Sequence, residues 1–274
     1  MLRAEDFFDL GQTRFAGIFK GEEYVWGALK NIKRYIAETI FPNVSCLLKE
    51  GPMISKTVVL HEGKAIFGGF TVETGDASKG GLVVKVDNET LEGASVIYAG
   101  VFLMDDRIEI GRSTVIEPGA LIKGPAVIGD KTEVRQGAYI RGNVLVGAGC
   151  VVGHTTEMKS SVMLGDSKAG HFAYIGDSIL GKVNLGAGTK LANLKIVSTE
   201  VIVKADGKKY ETGLRKFGAI LGDGVETGCN TVTTPGTLLS KGVLVYPNST
   251  VSGYYRPGGI VKLRQKHELQ KKDD

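Results

Sequence analysis

From residue 110 onward, apolar side chains recur at a strict interval of six: Ile110, Ile116, Ile122, Ile128, Val134, Ile140, Val146, Val152, Met158 and Leu164. On an α-helix, steps of six advance by about 240° and scatter these side chains over three faces, so no apolar stripe forms. In an extended chain six is a multiple of two, and all of them point to the same side. Small or turn-compatible residues follow, as in Gly111, Pro118-Gly119, Gly129-Asp130, Gly142-Asn143 and Gly147-Ala148, where a chain bends sharply between strands. Six residues thus make one short strand and one corner. Three such units close a triangular turn of about 18 residues with the apolar positions inside. The rhythm resumes at Leu221, Thr227, Thr233, Leu239, Val245 and Val251. The predicted fold class is all-β, a left-handed parallel β-helix of hexapeptide repeats over residues 108–253.

The remainder of the chain follows other rules. Tyr24, Ala28, Ile32, Tyr35, Ile36 and Ile40 recur at three- and four-residue spacing, which predicts one amphipathic helix. Residues 42–107 carry β-branched runs at 57–60, 81–86 and 95–103 between turn signals, so residues 1–107 read as an N-terminal extension, a helix followed by strands. Between the two hexapeptide runs the spacing slips to five at Ile175, Leu180 and Leu185, and residues 197–216 read as an inserted hairpin or loop. Interruptions of a regular coil are where function is usually placed. The charged residues 254–274 read as a C-terminal cap or tail.

Composition narrows the function classes. In 274 residues, 34 Lys and Arg against 30 Asp and Glu give a net charge of +4, too small and too dispersed to imply nucleic acid, though compatible with small anions. Cys46, Cys150 and Cys229 are far apart and form no Cys-x-x-Cys pair, so neither a disulfide framework nor a metal site is expected. No apolar stretch reaches the roughly 18 residues of a membrane span, and a cytoplasmic location without membrane partners is expected.

Few residues could carry chemistry. His171 lies in SKAGHFAYIGDSILG, where the six-residue rule breaks, and an imidazole can act as general base or as a structural group. Arg141 and Lys159 are 18 residues apart, one turn of the coil, and should stack on one face about 4.8 Å apart. Such a pair suits a phosphate, with a solvated face balanced by Glu157 as the alternative. His171, 12 residues beyond Lys159, should lie on a different edge, so a neighbouring chain would complete the site, and a triangular prism lends itself to a homotrimer. P-loop, G-x-S-x-G and H-E-x-x-H patterns are lacking.

Residues 108–253, and most densely EMKSSVMLGDSKAGHFAYIGDSILGKVNLGAGTKLANLK at 157–195, resemble the C-terminal acetyltransferase domain of bifunctional UDP-N-acetylglucosamine pyrophosphorylase/glucosamine-1-phosphate N-acetyltransferases. The match includes residues off the apolar rhythm. The resemblance implies an N-acetyltransferase that moves an acetyl group from acetyl-CoA to an amino-sugar phosphate such as glucosamine 1-phosphate, linked to UDP-N-acetylglucosamine biosynthesis. By this resemblance His171 is the general base, and Arg141, Lys159, Tyr174, Asn184 and Lys216 contact the sugar phosphate. Ala187, Asn193, Cys229 and Pro247 fall on positions that contact acetyl-CoA. Leu194 stands where bacterial members often have Tyr, and Cys229 and Pro247 stand where they have Ser and Ala. Nucleotidyl transfer, with its magnesium, is not expected. A sugar-phosphate or sugar-nucleotide binding protein without transfer, or an acyltransferase for another amino sugar, remain the alternatives.

Overall fold

The computed structural model describes residues 2–270, and its centre is a parallel β-helix of triangular section. One turn shows the construction: Glu133–Val134 lies on the first face, Tyr139–Arg141 on the second and Val144–Val146 on the third. Each strand pairs in parallel with its counterpart in the next turn, so that Val134 faces Val152, Ile140 faces Met158 and Val146 faces Met163. The second and third faces each stack eight strands. The alternate residues that point inward, such as Ile122, Ile140, Met158 and Ile175, are wholly buried and form one column-like core.

The six-residue rhythm holds as far as Met158 and then departs from expectation by one residue. Met163, not Leu164, continues the inner core, whereas Leu164 packs in a separate apolar cluster outside the coil. The first shortened step therefore falls between Met158 and Met163, before the slips at Leu180 and Leu185. Parallel pairing also extends beyond residues 108–253 on both sides. Ser95–Ile97 already pairs with Val115–Ile116, while Tyr254–Tyr255 and Ile260–Val261 still add to the stack.

The starting end of the coil would expose unpaired strand edges, which invite association. All three faces are closed there by the preceding chain. The antiparallel hairpin Val58–His61 with Lys64–Ile66 covers the first face, and the second is paired through Ile54 N to Val101 O and Leu103 N to Pro52 O, both 2.8 Å. On the third face the Asn43 side chain stands in for a strand, accepting from Ile110 N at 2.9 Å and donating to Ile110 O at 2.8 Å.

The predicted N-terminal helix is present as Ala28–Thr39, burying Ala28, Ile32 and Ile36. With Phe7, Phe8, Phe15, Ile18 and Trp26 it lies over the outer side of the third face, against Val127, Leu145, Val162, Ile179, Ile220 and Leu238. Burial of each large side chain there contributes about 1.5–3 kcal/mol. Within residues 197–216, Ile202–Ala205 pairs antiparallel with Lys208–Glu211, and Val201, Val203 and the following Phe217 join the same outer cluster. No helix among the described residues is long and apolar enough to cross a membrane.

Two neighbouring glycines test the stacking. A Cβ at Gly153 would overlap the carbonyl of Gly170 in the next turn, whereas a Cβ at Gly170 meets open space. Gly153→Ala should cost about 1–3 kcal/mol through the strain of overpacking, and Gly170→Ala should stay within about 0.5 kcal/mol. Chemical denaturation of the two variants measures both values.

Candidate functional site

Polar residues with distinctive partners gather in two places that border the second face. The first lies where the second-face strands run into the corner leading to the third face. Lys123 and Arg141 are paired across one rung, and the pairing of Ile140 with Met158 carries Lys159 into the same column. Each of the last two cations has a carboxylate partner. Arg141 Nη1 lies 2.6 Å from Glu157 Oε1, and Lys159 Nζ lies 3.3 Å from Asp177 Oδ2. The guanidinium pKa of Arg141 is raised, chiefly by its hydrogen bond to Glu157. Lys123 and Arg141 also flank the Tyr139 ring, at 5.5 and 5.8 Å from its centroid.

Asp177 Oδ2 also accepts from Asn193 Nδ2, and Tyr174 donates through its hydroxyl to Asn193 Oδ1 at 3.3 Å. Burial, then the charges of Glu157 and Asp177, raise the Tyr174 phenol pKa, so at neutral pH it remains a donor. Gly176 makes the close approach feasible, since a Cβ there would lie 2.7 Å from both Asn193 Nδ2 and the Tyr174 hydroxyl. The insertion leaves and rejoins the coil here: Leu194 and Lys216 form an isolated antiparallel bridge, and Phe217 N donates to Asn193 O at 2.9 Å. Arg141, Lys159, Tyr174, Asn193 and the backbone of Lys216 therefore share one corner.

The second place is the corner between the first and second faces. His171 ends the first-face strand Lys168–His171 and is exposed, and its Cα partner in the preceding turn is His154. Ala169 pairs with Leu185, Leu185 with Thr227 and Thr227 with Val245. Two residues further along each strand, His171, Ala187, Cys229 and Pro247 consequently follow one another up the same edge. Backbone bonds confirm the stacking, with Asn230 N to Ala187 O and Asn248 N to Cys229 O both at 2.8 Å.

Two residues stand apart from the groups they were read with. Asn193, read with the acetyl-CoA positions, is bonded to Tyr174 and Asp177, away from the Ala187–Cys229–Pro247 column. Asn184, read with the sugar-phosphate residues, sits exposed on the first face between Lys168 and Glu226. Asp177 was missed altogether, although the step of 18 that links Arg141 to Lys159 leads from Lys159 directly to it. His154 was missed as the neighbour of His171. Its Nδ1 lies 2.9 Å from Gln136 O.

Cys150 belongs to neither place. It occupies one step of a buried ladder at the corner between the third and first faces, where Thr114, Thr132 and Ser167 each bond a carbonyl of the next turn. Burial pushes its thiol up to about 12. Among the described residues, no group of three or more His, Cys, Asp or Glu could hold a metal ion.

Residues 122–208 match the family model described as the GMPPB C-terminal domain. A bifunctional sugar-1-phosphate nucleotidylyltransferase/acetyltransferase of Sulfurisphaera tokodaii is 40% identical over 99 residues, which are 36% of this chain and 25% of that protein. The bifunctional protein GlmU of Methanococcus maripaludis strain C7 is 34% identical over 119 residues, 43% of this chain and 29% of that protein. The matches thus span less than a third of these relatives' length. Among solved structures, a hexapeptide transferase family protein from Anaplasma phagocytophilum aligns with 21% identity and a TM-score of 0.35, covering 59% of this chain and 75% of that one.

The thiols give a direct check on the geometry. Cys46 and Cys229 are exposed and should react with a thiol reagent in the native protein, with Cys150 reacting only on unfolding. Because the folded state raises the Cys150 pKa, the unfolded chain loses that proton first as pH rises. This contribution should therefore lower stability progressively from about pH 9 toward pH 12. Denaturation midpoints of the protein and its Cys150→Ser variant across that range test the sign, and the variant should lack this part of the decline.

Proposed function

We propose that the chain is an N-acetyltransferase that moves an acetyl group from acetyl-CoA to the amine of an amino-sugar phosphate, glucosamine 1-phosphate or a close relative. The observation that carries the reading is the juxtaposition of the two corners. The donor column of Ala187, Cys229 and Pro247 leads up to His171, and three residues beyond His171 the chain reaches Tyr174, a member of the cationic cluster. Both relatives described above are bifunctional proteins, and the name of the first includes acetyltransferase.

In this reading Arg141, Lys159 and Lys216 hold the phosphate, and Tyr174 and Asn193 orient the sugar ring. Asn184 on the first face joins the pocket only where a second copy presents its first face to this second face. The His171 imidazole takes the amine proton as the nitrogen attacks the thioester carbonyl. The new C–N bond forms, the C–S bond breaks, and the CoA thiolate leaves and is protonated. Binding energy from the phosphate and nucleotide ends is used to hold amine and thioester together.

The third face is covered by the chain's own N-terminal segment and the starting end of the first face by the sheet of residues 70–90, so the second face and the later turns of the first face are the ones free for assembly. A homotrimer in which neighbours cover these faces would enclose both corners. Sedimentation at micromolar concentration should give a mass three times that of the 29.2 kDa chain.

An acetyl-CoA consumption assay over a panel of amino-sugar phosphates tests donor and acceptor together. Replacing His171 with Ala should lower kcat by about 10²–10⁴-fold, the usual contribution of a general base. An unchanged rate would remove His171 from that role. Sugar-phosphate binding by calorimetry with no acetyl-CoA consumption would instead make the chain a binding protein.

A further inference from the structure

We infer that Asp177 is the positioning residue of the cationic corner, the carboxylate that ties Lys159, Asn193 and the ends of the insertion to one point. The inference rests on reading that corner as the sugar-phosphate site. A single carboxylate oxygen, Oδ2, receives both the Lys159 ammonium at 3.3 Å and the Asn193 side-chain amide. Through Asn193 it also fixes the acceptor for the Tyr174 hydroxyl. The backbone of the same residue is engaged on both sides, its N–H donating to Lys159 O at 2.9 Å and its carbonyl accepting from Gly218 N at 2.8 Å.

This arrangement follows from the corner itself. Asp177 has φ of +45°, a left-handed conformation that Asp tolerates better than most residues. Gly218, two residues after Lys216, packs against the turn, since a Cβ there would collide with Gly176 O and Ser178 Oγ. The return of the insertion is thus held to Asp177 through the backbone, while its departure at Asn193 is held through the side chain. Lys216 lies between these two anchors. Side-chain exposure of 15% for Asp177 and 23% for Lys159 removes much of the water that would otherwise screen the pair.

A carboxylate beside a phosphate-binding lysine has a second possible effect, repulsion of the incoming anion. The two roles predict opposite responses to a neutral isostere. For positioning, what matters is an oxygen acceptor at Oδ2, which Asp177→Asn retains and Asp177→Ala removes. For simple competition, Asp177→Asn would bind the anion more tightly than the native protein.

The test is calorimetric titration of the full chain and both variants with glucosamine 1-phosphate, together with steady-state kinetics and NMR of the Asn193 side-chain amide in the free protein. Asp177→Ala should weaken binding and raise the sugar-phosphate KM about ten-fold or more, the scale of losing a charged hydrogen bond. The acetyl-CoA KM should change less than about two-fold, Asp177→Asn should remain within about three-fold of native affinity, and the Asn193 amide resonance should shift in Asp177→Ala. Native affinity in Asp177→Ala, or tighter binding in Asp177→Asn, overturns the inference. So does an equal rise of both KM values, which marks general damage to the fold. Absence of binding by the native chain would overturn the functional reading instead. In that case an unshifted Asn193 resonance in Asp177→Ala would overturn the positioning role, and a shifted one would uphold it.

Discussion

Everything in this molecule depends on the in-register stacking of one turn of chain on the next. Parallel strands lie about 4.8 Å apart, and the backbone bonds that hold them run along the coil axis on all three faces. A residue at a given place in a turn therefore meets its equivalents above and below, so that inner positions make a continuous core and outer positions make columns. Ile122, Ile140, Met158 and Ile175 form one inner column. Lys123, Arg141 and Lys159 form an outer one, and His171, Ala187, Cys229 and Pro247 another along an edge. Short strands of two to four residues are stable in this setting because each strand inside the stack is paired on both sides, which leaves edges only at its ends.

The three faces are treated differently by the rest of the chain, and this decides where chemistry can reside. Third-face strands such as Val144–Val146, Ala126–Ile128 and Ala219–Leu221 are apolar at all three positions, because the middle residue faces the N-terminal segment instead of solvent. Second-face strands alternate, as in Tyr139–Arg141 and Glu157–Lys159, with a buried residue between two that remain accessible to solvent. The N-terminal helix and the insertion therefore act together. They seal one side of the prism and leave the charged columns open on another.

The repeat was legible because burial imposes a period that no other structure explains, and the corner between Arg141 and Lys159 followed from the length of one turn. The slip at Met163 was not legible, because Met163 and Leu164 are both apolar and both buried, one inward and one outward. Hydropathy alone does not distinguish two apolar environments on opposite sides of one strand. The partners of Asn193 were not legible for a related reason. Its grouping came from similarity to other chains, whereas its partners Tyr174 and Asp177 are fixed by the shortened turns around it. Cover of the third face by residues 2–40 also lay beyond the repeat pattern, since the amphipathic helix announces a buried stripe without naming the surface that buries it.

The two ion pairs of the cationic corner are not equivalent, and their difference gives the site a physical order. Arg141 and Glu157 remain 41% and 33% exposed, so their pair contributes little stability and Glu157 can turn to solvent at small cost. Lys159 and Asp177 are less exposed, and Asp177 is held by three further bonds, so separating them would strand a half-buried carboxylate. On the proposed reading, an anion entering the corner would replace Glu157 on the guanidinium but share Lys159 with Asp177, whose geometry it would leave intact. The guanidinium fork supplies the adaptable contact and the ammonium the fixed one. A ligand carrying both a phosphate and hydroxyl or amine donors would suit this arrangement, with the phosphate on the guanidinium and the donors toward the Glu157 carboxylate.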